Sequence, residues 1–163
     1  VVVFHVDYYF ISNEYYIFSE RDKRFITTAI EFEADKFLEG KSDYFIIRDV
    51  IDNYLKYAIF NKDGNQISEW FDEIKEDGLV KGESEYYIAK KKGKYAIYYK
   101  DGQKVSDDFS EKHLRDVYRI TFNDKLGMVE LYSKKLKKLR SIEFQPVPLY
   151  REEYLDYTKL LNI

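Results

Sequence analysis

Residues 56–71 read KYAIFNKDGNQISEWF, and residues 94–109 read KYAIYYKDGQKVSDDF. The second copy starts 38 positions after the first and aligns with it without a gap. A match of this length at one offset is an internal repeat, and it limits the fold before any motif is considered. The shared pattern is Lys-Tyr-Ala-Ile-aromatic, then Lys-Asp-Gly, an aliphatic residue, Ser, an acidic residue and Phe.

The unit reads as β-structure. Tyr95, Ile97 and Tyr99 alternate with Ala96 and Tyr98, and a period of two in aromatic and β-branched residues is a strand signal. Asp63-Gly64 and Asp101-Gly102 follow the strands as hairpin turns, expected to be of the primed type with both residues at positive φ. Residues 103–106 make a short return strand. Upstream, residues 86–90 form another strand, joined by Lys91-Lys92-Gly93-Lys94. Each unit is thus a three-stranded meander. Residues 50–56 are read as a longer version of the same connection.

Two looser copies flank the pair. Downstream, residues 118–122 form a strand, Asn123-Asp124-Lys125 a turn, and residues 126–132 the next strand. This alignment places Gly127 where Ala58 and Ala96 stand, and Met128 where Ile59 and Ile97 stand. Upstream, residues 8–11, a turn at Ser12-Asn13-Glu14 and residues 15–18 repeat the scheme, with Tyr16 in the small-residue place. A small residue there marks close approach by a neighbouring strand or ring.

The residues Lys56-Tyr57-Ala58-Ile59 and Lys94-Tyr95-Ala96-Ile97, each leading to Lys-Asp-Gly and a later Phe, resemble the WG-repeat family of bacterial β-repeat proteins. The Trp-Gly pair that names the family stands here as Tyr57-Ala58, Tyr95-Ala96 and Leu126-Gly127. The resemblance spans about residues 8–144. It implies an all-β repeat module with a binding or surface role, and it brings no catalytic residues.

Composition agrees with a sheet protein. A chain of 163 residues is expected to be one domain. It carries 17 Tyr and 12 Phe against one Met and one Trp. Tyrosine suits half-buried sheet faces, with its ring packed and its hydroxyl wet; the rival reading is an exposed aromatic strip for sugar or another flat ligand. With 27 basic and 30 acidic residues the net charge is −3, which argues for no general attraction to nucleic acid or anionic lipid. There are no cysteines, so neither disulfides nor thiolate chemistry enter. That fits an exported or a cytoplasmic chain equally. No apolar run approaches the ~20 residues of a membrane span. The start at Val1-Val2-Val3, without Met, suggests that the natural N-terminus lies upstream.

Along the chain, residues 1–11 are a β-rich start, 20–24 a charged turn and 25–32 strand-like. Residues 33–40 are read as one helical turn or a loop, 69–82 as a loop with a short strand, and 107–116 as a helical turn. Pro146 and Pro148 end the sheet, since proline lacks the ladder donor. Apolar residues at 150, 154, 157, 160 and 161 predict a short C-terminal helix over 150–161.

No catalytic constellation emerges. His5 lies among alternating strand residues and His113 in a charged turn, neither beside a nucleophile motif. Asp107, Asp108, Glu111, His113 and Asp116 form the densest acidic cluster, but their spacing matches no metal-binding pattern and reads as a solvated turn. The glycines are scattered and form no phosphate loop. Basic runs occur at 90–94 and 134–140. If the fold brings them to one edge they form a phosphate or RNA stripe; otherwise lysine at turns and edges guards against aggregation.

The sequence therefore predicts an all-β fold of about four hairpin or meander units, at 1–41, 42–84, 85–116 and 117–149. These form a curved, elongated sheet or a partial propeller. The expected function is non-catalytic binding, with a Tyr-rich and charged surface offered to a protein or glycan. The alternatives are a hydrolase with an acidic cleft near 107–116 and a nucleic-acid module using the lysine runs. No cofactor, metal or catalytic residue is assigned.

Overall fold

Apolar residues occupy both faces of the strands at 44–61 and 86–99, which therefore need cover on two sides; neighbouring sheets and connecting segments supply it. The computed structural model describes residues 2–7, 13–19, 23–29 and 31–147. Within them the chain is all-β, with four three-stranded antiparallel sheets in simple sequence order. The first holds β1 (Val2–Asp7), β2 (Asn13–Ser19) and β3 (Arg24–Ala29). The second holds β4 (Glu31–Glu33), β5 (Tyr44–Ile51) and β6 (Tyr54–Asn61). The third holds β7 (Glu73–Ile74), β8 (Tyr86–Lys91) and β9 (Lys94–Tyr99). The fourth holds β10 (Arg119–Asn123), β11 (Met128–Tyr132) and β12 (Lys138–Glu143). Among the described residues helix is confined to one turn, α1 (Asp35–Leu38), and a 3-10 turn at Glu111–Leu114. Both fall where helical turns are expected. No described helix is long and apolar enough to cross a membrane. The predicted helix at 150–161 lies outside the described residues.

The two copies of the repeated stretch make the same hydrogen bonds. Tyr57 bridges Phe71 as Tyr95 bridges Phe109, and Phe60 bridges Gln66 as Tyr98 bridges Lys104. The Ile59 N–H donates to Ser68 Oγ at 2.8 Å, and the Ile97 N–H to Ser106 Oγ at 2.8 Å. Each hydroxyl donates onward to the next carbonyl, of Glu69 or Asp107, at 2.9 Å.

Several local readings need correction. The third strand of each central sheet precedes the hairpin instead of following it. β4 and β7 pair with β5 and β8, so by pairing the sheets begin at Glu31 and Glu73, ahead of the expected unit starts at 42 and 85. Residues 103–106 hold only the isolated Lys104 bridge. Asn13, expected in the turn at 12–14, opens β2 and pairs with Asp7 of β1; the expected strand at 8–11 lies outside the described residues. Residues 50–56 are no long connection: β5 runs to Ile51 and β6 resumes at Tyr54, leaving a two-residue turn.

The Asp-Gly turns are also not primed. Only Gly64 (φ 82°) and Gly102 (φ 91°) are left-handed, and their aspartates are not. The Gly64 N–H donates to the Asn61 carbonyl, and the Gly102 N–H to the Tyr99 carbonyl. This is the three-residue hairpin loop that ends in a left-handed glycine. The primed turns lie between β5 and β6, at Asp52 and Asn53, and between β8 and β9, at Lys92 and Gly93; all four residues have positive φ.

Packing follows the strand alternation. Ile46 and Ile59 are paired across β5 and β6 and share a cluster with the Ala89–Ala96 pair of β8 and β9. On the other face of the third sheet, Ile88 and Ile97 pack with Val129 and Leu131. On the other face of the second, Ile47 and Ala58 pack with Phe45 and Phe60 against Trp70 and Phe37. The small pair Ala89–Ala96 thus receives the larger isoleucine pair of the preceding sheet, which accounts for alanine at 96. Gly127 has a different reason. It precedes β11 at φ 66°, and a Cβ there would lie 2.4 Å from the Phe144 carbonyl oxygen. By strand order β11 is the counterpart of β8, so Gly127 does not stand where Ala96 does.

Candidate functional site

Strand order makes the β8–β9 turn and the β11–β12 turn counterparts, each joining the second and third strands of a sheet. These turns carry the two lysine runs, 90–94 and 134–140. The segment between the sheets ties them together. Arg140 Nη1 donates to the His113 carbonyl at 2.5 Å and to the Arg115 carbonyl at 3.1 Å. Residues 110–115 in turn border Gly93. Both basic runs therefore emerge at one end of the stack, with the 3-10 turn between them.

At this end Lys92, Lys94, Lys112, Arg115, Lys134 and Lys135 are exposed or partly exposed and form no salt bridge among the described residues. Lys91 pairs with Glu69 at 2.6 Å and Lys138 with Glu130 at 3.7 Å. A cleft of about 580 Å³ opens here, lined by Lys75, Gly93, Tyr95, Ser110, Glu111, Lys112, Leu114 and Arg115.

The cleft floor is a charged network around Tyr95. The Tyr95 hydroxyl donates to Glu73 Oε2 at 2.6 Å, and Lys75 Nζ lies 2.8 Å from Glu73 Oε1. The ammonium groups of Lys75 and Lys90 lie 5.7 and 5.5 Å from the centre of the Tyr95 ring, within cation–π range. Burial, then the hydrogen bond to Glu73, raise the Tyr95 phenol well above its ordinary value, so it stays protonated. Burial pushes the Glu73 carboxyl upward, but the hydrogen bonds from Lys75 and Tyr95 outweigh it and hold it below its ordinary value. Glu73 is therefore a carboxylate, with its charge engaged within the floor.

The acidic cluster of 107–116 is not gathered into a cleft. Asp107 lines a separate cavity of about 550 Å³ between residues 103–107 and 143–147, whereas Glu111 lines the cationic one. Asp108 pairs with Lys104 at 2.5 Å. His113 is exposed; its Nδ1 lies 3.4 Å from Ser110 Oγ and its ring packs edge-on to Phe109. His5 sits opposite Tyr15 in the first sheet. No group of three or more His, Cys, Asp or Glu suited to a metal ion occurs among the described residues.

The aromatic residues are chiefly packing. Tyr86, Tyr87 and Tyr95 are at most 2% exposed. Of the aromatics whose side chains are described, only Tyr54 and Tyr118 are strongly exposed. The expected Tyr-rich surface is therefore not formed by the described residues, because sheets stacked on both faces enclose the rings. The cleft itself was invisible in the sequence, since it depends on Lys75 and Lys112 meeting across strands that are distant in the chain.

Searches of protein-family models, curated proteins and solved structures found no match to this chain.

Proposed function

We propose that this chain is a non-catalytic binding module that takes an acidic segment of a partner protein at the end of the stack carrying the two lysine turns. One observation supports the reading above others: residues 90–94 and 134–140, far apart in sequence, are counterpart turns joined through the Arg140 contacts with residues 113 and 115. The common unit of the sheets, and with it the likeness to WG-repeat proteins, belongs to the same proposal. Stacked units create extended surfaces more readily than deep pockets.

The lysine arrangement also suits a nucleic acid, but three features favour a polypeptide. The free cations are mostly lysines, point charges without the guanidinium fork that matches phosphate. Few exposed aromatics are available for base stacking. Acidic groups such as Glu111 and Asp116 interrupt the basic surface, and the whole chain carries net charge −3. The separation of Asp107 from Glu111 likewise favours binding over an acid-pair hydrolase.

The test is a comparison of capped acidic peptides, single-stranded RNA and neutral glycans by fluorescence anisotropy at several salt concentrations. Saturable peptide binding that weakens with salt, with the peptide recovered intact, is expected. Tighter binding to RNA, binding confined to glycans, or conversion of the ligand overturns the proposal.

A further inference from the structure

Resting on that reading, we infer that the 580 Å³ cleft beside Tyr95 is an anchoring subsite for a single carboxylate side chain of the acidic partner, held by Lys112 and Arg115 above Lys75.

The argument is one of charge and shape. Three cations line the cleft, Lys75, Lys112 and Arg115, and a fourth, Lys90, lies at the Tyr95 ring. Two carboxylates oppose them, Glu73 and Glu111. Glu73 is engaged by Lys75 and by the Tyr95 hydroxyl, so it repels an incoming anion less than an open carboxylate does. Lys112 and Arg115 form no salt bridge among the described residues and are exposed, which leaves the positive excess at the mouth. The volume lies within the range of ligand clefts and exceeds what one side chain needs, so water can accompany it.

Shape selects a carboxylate side chain over a bare anion. Leu114 gives the cleft an apolar wall, and the Tyr95 ring below it is enclosed. The methylene stem of Glu can lie along that wall while its head meets the cations, much as long charged side chains bury their stems elsewhere. Phosphate would gain from the cations alone. Tyr95, held protonated, adds no negative charge to the floor.

Isothermal titration with a capped hexaglutamate peptide tests the inference. Lys112→Gln/Arg115→Gln removes two charges at the cleft; Lys134→Gln/Lys135→Gln removes two at the neighbouring turn. An anchoring cleft predicts at least tenfold weaker binding for the first pair and no more than about threefold for the second, with both variants folded by circular dichroism. Equal losses would show diffuse attraction; they overturn the subsite and leave the binding-module reading standing. Inorganic phosphate that competes at the same concentration as the peptide overturns the choice of a carboxylate side chain. No hexaglutamate binding by the unaltered chain overturns the subsite, and if other acidic peptides also fail to bind, the module reading falls with it.

Discussion

The Glu33 carboxyl, on the first strand of the second sheet, is hydrogen-bonded to Glu76, just beyond the first strand of the third. The pair borders a cavity of about 220 Å³ with Asp35, Lys36 and Lys81 around it. Burial raises the Glu33 carboxyl most. The Glu76 hydrogen bond adds to this, followed by repulsion from Glu76, Glu31 and Asp35, and together they push it up to about 8 from 4.5. At neutral pH Glu33 therefore holds its proton.

The pH dependence follows from linkage. A carboxyl raised in the folded state binds more protons there than in the unfolded chain between pH 4.5 and 8. Its contribution is most favourable below 4.5, declines through that window and is fully unfavourable above 8. The group is partly open to water, so the loss is on the order of 1 kcal/mol after discounting for screening. Glu33→Gln retains a donor toward Glu76 and removes the titration. We expect its melting temperature to exceed that of the unaltered chain at pH 9 and to match it near pH 5. Parallel melting curves across that range would reject the proton held on Glu33.

Tyr87 offers a stabilising change. It is fully buried, stacked on Tyr98 at 5.7 Å and edge-on to Phe71 at 6.2 Å. Its hydroxyl has no hydrogen-bond partner among the described residues. A buried unpaired hydroxyl costs about 1–3 kcal/mol, and phenylalanine keeps the ring. Tyr87→Phe is expected to raise the urea midpoint by the equivalent of about 1 kcal/mol. A lower midpoint would show that the hydroxyl is satisfied in solution.

Ser68 and Ser106 are expected to matter alike. Each hydroxyl accepts the N–H of a fully buried isoleucine, Ile59 or Ile97. Alanine leaves that N–H unpaired, so each change is predicted to cost about 1–3 kcal/mol in denaturant unfolding. Ser68, itself buried, should sit at the upper end, since water reaches Ser106 more readily. A neutral Ser68→Ala would refute the role given to this bond.

Gly102→Val combines two penalties. The position needs φ 91°, and a Cβ there would lie 3.3 Å from the Ile67 carbonyl oxygen of the preceding unit. A β-branched residue in this conformation is expected to cost at least about 1 kcal/mol. Urea unfolding checks it, and unchanged stability would mean that the loop adopts another turn.

What was legible in the sequence is the class of structure and the equivalence of Tyr57 with Tyr95, because strand alternation and turn glycines act over a few residues. What was not legible depends on distant pairing. The two residues of β7, Glu73 and Ile74, carry almost no signal of their own; pairing with Ala89 and Lys90 makes them a strand. The Asp-Gly pairs read locally as primed turns, but a three-residue loop uses the same dipeptide with glycine alone left-handed. Aromatic content reads first as sheet packing, with an exposed strip as the rival, because composition does not say whether a sheet is covered on one face or two. Lys112 and Arg115 meet Lys75 only because Phe109 bridges Tyr95 and so sets the following segment beside the third sheet, and no local pattern announces it.

Enclosure of β8 on both faces bears on how its alignment with β9 is fixed. In a sheet with one wet face, sliding a strand by one residue turns its oily side to water, and that penalty enforces the alignment. β8 lacks this safeguard, since Tyr86 and Ile88 are as deeply buried as Tyr87 and Ala89. A slip that carries Ile88 to the place of Ala89 would still bury apolar side chains along the middle of the strand. What it would lose is fit: Ile88 would be forced into the space that Ala89 and Ala96 leave for Ile46 and Ile59. The two-residue turn at Lys92 and Gly93 and the Ser106 bond to Ile97 oppose the same slip. Side-chain size therefore does in this sheet what polarity does elsewhere, and exchanging Ala89 with a neighbouring tyrosine should scramble strand alignment without making the sequence any less hydrophobic.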